Sequence, residues 1–168
     1  MKPIQSAFTL MTLVACLSVG KLQRNLNDSS ILGIFAGTTP CGQFIRPLHK
    51  VSAEADCAMV QWKLILYRDP VSRKPTTYKL SSVNRFIVKG TNMYSEPGTK
   101  METEGKWTIV QGTKTNPNAV TYQLGSDKTE RSIRFLKLSD NLIHLLDSDG
   151  KLMIGNESFS YTLNRVAN

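Results

Sequence analysis

Three cysteines and two histidines set the chemistry open to this chain. Cys41 and Cys57 bracket the stretch GQFIRPLHKVSAEAD, with His49 between them. Two thiols beside an imidazole allow a soft-metal site, a cycling redox pair or a disulfide. A zinc or copper site wants further cysteines or histidines at short spacing. Here only Cys41, Cys57 and His49 offer themselves, and His144 is far along the chain. No metal is therefore expected. Met59, Met93, Met101 and Met153 are scattered and read as core filling rather than a thioether site. There is no G-x-S-x-G, no H-E-x-x-H and no glycine-rich phosphate loop. No catalytic residue and no cofactor are expected, and the chain reads as a non-enzyme.

The choice among the thiol chemistries depends on the compartment. Residues 1–20, MKPIQSAFTLMTLVACLSVG, carry one early charge, Lys2, and an apolar run from about Phe8 to Val14. That run is too short to span a bilayer, which needs roughly 20 apolar residues. It reads as a secretory signal peptide. Leu13-Val14-Ala15-Cys16 looks like a bacterial lipobox, which makes Cys16 the lipidated N-terminus. The rival reading is simple cleavage near Gly20, after Ser18-Val19-Gly20. Either way Cys41 and Cys57 remain as an even pair in an exported protein, and the expectation is a structural disulfide.

The chain has 21 basic and 13 acidic residues, a net charge of +8. An exported basic protein meets anionic headgroups and envelope polymers rather than nucleic acid. Arg68, Arg73 and Lys74 form the one local basic cluster. Residues 21–30, KLQRNLNDSS, read as a polar tether, and 31–168 as a single domain.

Within that domain short apolar runs alternate with turn residues. Strands are expected over Ile31–Thr38, Met59–Tyr67, Thr76–Leu80, Arg85–Lys89, Lys106–Gln111, Ala119–Leu124, Ser132–Leu138, Leu142–Leu146 and Phe159–Leu163. Trp62, Leu64 and Leu66 alternate onto one face, as do Trp107 with Ile109, and Tyr122 with Leu124. The loop between the cysteines has room for one helical turn near Ser52–Asp56. Successive antiparallel strands solve their edge problem by closing. The fold expected is all-β: a small antiparallel up-and-down barrel of about eight strands, lipocalin-like. Its core would be Trp62, Leu64, Leu66, Trp107, Tyr122 and Leu124.

The stretches GIFAGTTPC (Gly33 to Cys41), Asp56-Cys57 leading into WKLILY, Gly105-Lys106-Trp107, and LIHLLDSDGKLMIG followed by YTLNR resemble the N-terminal domain of the NlpE family of copper-resistance and envelope-stress lipoproteins. The resemblance implies a lipocalin-like barrel tethered to the envelope by a lipid. That family has a tight CxxC after its first strand. Here Pro40-Cys41 and Asp56-Cys57 look like its two halves pushed apart by an insertion, which favours a staple over a copper or redox role.

The function expected is a non-catalytic binding or sensing module, held in the outer membrane of a bacterial envelope by its N-terminal lipid. It would be a monomer and would contact an envelope protein, in stress response or copper tolerance. The alternative is a carrier of a small apolar ligand in a lipocalin-like cavity. A crowd of large inward side chains argues for a filled barrel.

Overall fold

The structure, a computed structural model, describes residues 30–95, 98–113, 116–125 and 132–166. The segment expected as a signal peptide, Cys16 and the expected tether up to residue 29 lie outside the described residues. Eight strands run in sequence order around a closed antiparallel barrel. They are β1 (Ile31–Pro40), β2 (Cys57–Arg68), β3 (Pro75–Phe86), β4 (Lys100–Gln111), β5 (Val120–Leu124), β6 (Ile133–Lys137), β7 (Leu142–Leu145) and β8 (Thr162–Val166). β1 closes the ring on β8, from Ile34 opposite Val166 to Ala36 opposite Asn164. Every strand pairs with two neighbours, so residues 31–166 hold a complete closed sheet with its own core.

The alternation read from the sequence places the core. Val60, Trp62, Leu64 and Leu66 of β2 are buried, while Gln61 and Lys63 are exposed. Across the interior they meet Phe35, Leu80, Trp107, Tyr122, Leu124, Phe135, Ile143, Leu145 and Leu163. Trp107 stands edge-on to Tyr122, with ring centroids 5.3 Å apart and planes at 74°. Both indoles find acceptors: Trp107 Nε1 donates to the Tyr67 carbonyl at 2.7 Å, and Trp62 Nε1 donates to Thr39 Oγ1 at 2.9 Å. Gly37 lies opposite Trp62 in the register, and a Cβ there would come within 2.8 Å of Leu163. The crowded wall between β1 and β8 therefore needs a glycine.

Trp62→Phe is expected to cost about 1–2 kcal/mol, the worth of a buried bond whose acceptor is left unpartnered. Urea unfolding checks this, and an unchanged midpoint would contradict it.

Several expected boundaries shift. Thr76–Leu80 and Arg85–Lys89 are not two strands: β3 runs through Ser81-Ser82-Val83-Asn84 because both Ser82 and Asn84 face inward beneath other structure. The last strand is displaced toward the C-terminus, at Thr162–Val166 rather than Phe159–Leu163. Trp107 is buried, but Ile109 on the same face of β4 is exposed. The reason is stagger: Lys106 pairs with Thr77 near the start of β3, so the rest of β4 runs past β3 and pairs with β5 alone. The helical turn in the inter-cysteine loop is α1 (Ile45–Leu48), not Ser52–Asp56. Gly42 begins it by accepting from the amides of Ile45 and Arg46, and Pro47 sits in the first turn, where a missing N–H is tolerated.

Antiparallel order fixes which features share an end. The β1–β2, β3–β4 and β7–β8 connections lie at one end. The start of β1 and the β2–β3, β4–β5 and β6–β7 connections lie at the other.

Candidate functional site

The feature that departs from a plain barrel is the segment Cys41–Asp56, which folds over the mouth as a plug. Cys41 follows the last residue of β1 and Cys57 opens β2. Neighbouring strand ends bring their Cα atoms to 5.7 Å, within the range a bridge requires, and the two form the disulfide Cys41–Cys57. The thiol pair is thus a staple, and its sulfurs offer no thiolate to a metal. Among the described residues, no three of His, Cys, Asp and Glu gather as a metal-binding group.

Backbone bonds tie the plug to its surroundings. The Cys41 amide donates to the Ala58 carbonyl at 3.2 Å, and the Ile87 amide donates to that of Asp56 at 3.0 Å. Arg46 holds the plug to itself. Its Nε donates to the Cys41 carbonyl at 3.2 Å, and a terminal nitrogen reaches the carbonyls of Ser52 at 2.7 Å and Ala55 at 2.9 Å. One guanidinium therefore satisfies the acceptors of a loop that has little regular structure of its own. Gly42 lies against the hydroxyl of the buried Tyr161, which a side chain there would have to displace.

Two plug side chains enter the barrel. Ile45 is fully buried, and His49 is only 4 % exposed. The imidazole stands edge-on to Trp62, at 5.8 Å between centroids, and its Nε2 is 3.0 Å from Ser82 Oγ. Nδ1 has no partner. Burial holds the ring below the ordinary histidine value of 6.5, and no charged neighbour contributes. His49 stands next to the exposed Lys50 in the chain. It points inward instead, because the turn of α1 carries Ile45 and His49 to the same side, one helical turn apart. Below it lies a polar layer: Ser82, Asn84 and the Thr39–Trp62 pair. Asn84 is 1 % exposed and neither of its amide atoms has a partner. No sequence signal marked Ser82 and Asn84, since polar residues in a strand ordinarily read as the solvent face.

His144 has a structural role. Its Nδ1 is 3.0 Å from Thr162 Oγ1, and its Nε2 is 2.8 Å from the Met153 carbonyl. The carbonyl can only accept, so Nε2 carries the proton and Nδ1 accepts from the threonine. The ring thereby clips the β7–β8 connection onto β7.

Concave surface on the barrel's outside includes a groove of about 880 Å³, lined among others by Thr121, Arg134 and Leu136 of β5 and β6. The six residues expected as core, Trp62, Leu64, Leu66, Trp107, Tyr122 and Leu124, all fill the interior. Comparison with protein-family models, curated proteins and solved structures finds no match for this chain, so the NlpE resemblance rests on the residues that carry it.

Proposed function

We propose that this chain is a bacterial envelope lipoprotein, anchored through Cys16, whose barrel works as a non-catalytic binding or sensing module. The observation that carries the binding half is the occupied interior. Aromatic and aliphatic side chains fill it, and a disulfide-pinned plug seats Ile45 and His49 in its mouth. This supports recognition at the outer surface over carriage of an apolar ligand inside. The anchoring half rests on the lipobox-like Leu13–Cys16, and β1 begins at the end opposite the plug, so a tether would present the plug away from the membrane. The NlpE resemblance extends the proposal to envelope stress and copper tolerance. Sulfurs bonded to each other favour the first of these.

Two measurements test the two halves. Cys16→Ser is expected to move the protein from the membrane to the soluble fraction, and undiminished membrane recovery would contradict the anchor. Titration of the purified protein with a fluorescent fatty acid is expected to give no stoichiometric uptake. One probe bound per chain at micromolar concentration would restore the carrier reading.

A further inference from the structure

The end of the barrel opposite the plug gathers basic residues from separate parts of the chain. Arg68 ends β2, Arg73 and Lys74 lie in the β2–β3 turn, and Arg165 is the last residue but one of β8. Arg68 is disfavoured in its charged form first by burial and then by Arg73 and Arg165, so its guanidinium feels both of theirs. Its Nε is buried without a partner.

The nearby carboxylates are engaged elsewhere. Asp69 accepts from the Val71 and Ser72 amides within its own turn, at 3.1 and 2.6 Å. Asp140 pairs with Lys137 at 2.7 Å. None of Arg68, Arg73 and Lys74 forms an ion pair among the described residues, whereas Arg165 is held in the barrel wall: its Nε donates to the Asp140 carbonyl and a terminal nitrogen to that of Leu32, each at 2.8 Å, and its guanidinium lies 4.9 Å over the Phe35 ring.

The same end carries apolar tips. Val71, flanked by the basic turn residues, is 89 % exposed, and Leu138 of the β6–β7 turn is 51 % exposed. Single apolar tips among lysines and arginines suit the interface of an anionic bilayer, where the tip enters the headgroup layer and the cations meet phosphate. β1 starts at this end, with Ile31 opposite Tyr67 and so beside Arg68. Leu17–Ser30 can reach at most about 50 Å from Cys16, and this is the end from which a tether to Cys16 would leave the barrel.

From this juxtaposition we infer that the Arg68–Arg73–Lys74 end, with Val71 at its tip, is a docking face for the phosphate headgroups of the anionic lipids in the anchoring membrane. It rests on the anchored reading above and gives that reading an orientation: basic end down, plug outward.

The test uses a chain beginning at Lys21, which contains the complete closed sheet and lacks both Cys16 and the apolar leader. It is expected to float with phosphatidylglycerol-containing vesicles and not with phosphatidylcholine vesicles. Each neutralised charge is expected to weaken binding about fivefold, the equivalent of about 1 kcal/mol. Arg73→Gln/Lys74→Gln, on an exposed turn, should therefore weaken it about 25-fold. Lys89→Gln/Lys151→Gln, in the plug-end connections, should leave it unchanged. Millimolar inorganic phosphate should not compete.

Four outcomes overturn the face: no flotation, equal flotation with both vesicles, equal loss from the plug-end pair, or full competition by phosphate, which would make it a site for a free anion. The anchor is judged apart from this, by the Cys16→Ser fractionation. A failed face with a sound anchor is thus distinguishable from failure of both.

Discussion

Cys41→Ser/Cys57→Ser is expected to lower the stability of the barrel by about 3 kcal/mol and to loosen the plug while the strands stay paired. The bridge closes a loop with a sequence separation of 16, and chain-entropy reasoning assigns roughly 3 kcal/mol to a loop of that length. For a domain of this size that corresponds to a fall of about 10 °C in the melting temperature. The strands should survive because their ladder and core do not depend on the sulfurs: β2 pairs along β1 from Met59 to Tyr67. The plug should not survive unchanged. It has one helical turn of four residues and is otherwise held by Arg46, a few backbone bonds and two inserted side chains. Hydrogen exchange should therefore rise over 42–56 and stay slow in β2 and β3. An unchanged melting temperature, or two free thiols in protein unfolded without reductant, would remove the staple.

His49→Ala is expected to cost about 2–4 kcal/mol, since it opens a cavity against Trp62 and leaves Ser82 without its partner. The same ring makes the plug sensitive to acid. The closed state holds His49 below 6.5, so it refuses a proton that the opened or unfolded chain accepts. The plug's contribution is therefore fully present above pH 6.5 and is lost as pH falls through the ordinary value toward the depressed one. Nδ1 has no acceptor, so an imidazolium would bury an unpartnered donor beside the aromatic ring. Thermal unfolding from pH 7.5 to 5 should show a loss of stability that His49→Phe does not share. Parallel curves for the two proteins would contradict this.

Much of the barrel was legible because its strands bury one face. In WKLILY the period of two is complete, and the structure buries the residues it picks out. The sequence was silent where burial came from outside the sheet. Ser82 and Asn84 look like solvent-facing residues, yet the plug covers that mouth, so β3 continues where two shorter strands were expected. The burial of His49 was hidden for the same reason: nothing in its own segment shows it, while the turn of α1 sets it one turn from Ile45 and pulls both inward. The disulfide was legible from cysteine parity together with the expectation of export. The approach of Arg165 to Arg68 was not, because only barrel closure brings β8 beside β1, one strand away from β2.

The most direct test is the intact mass, under native conditions, of the protein extracted from its own membranes. The expected species is one chain beginning at Cys16, carrying a diacylglyceryl modification, lacking the two hydrogens of a Cys41–Cys57 bridge, and bringing no small molecule with it. A chain beginning at Lys21 with a non-covalent apolar ligand would contradict both the anchor and the filled barrel.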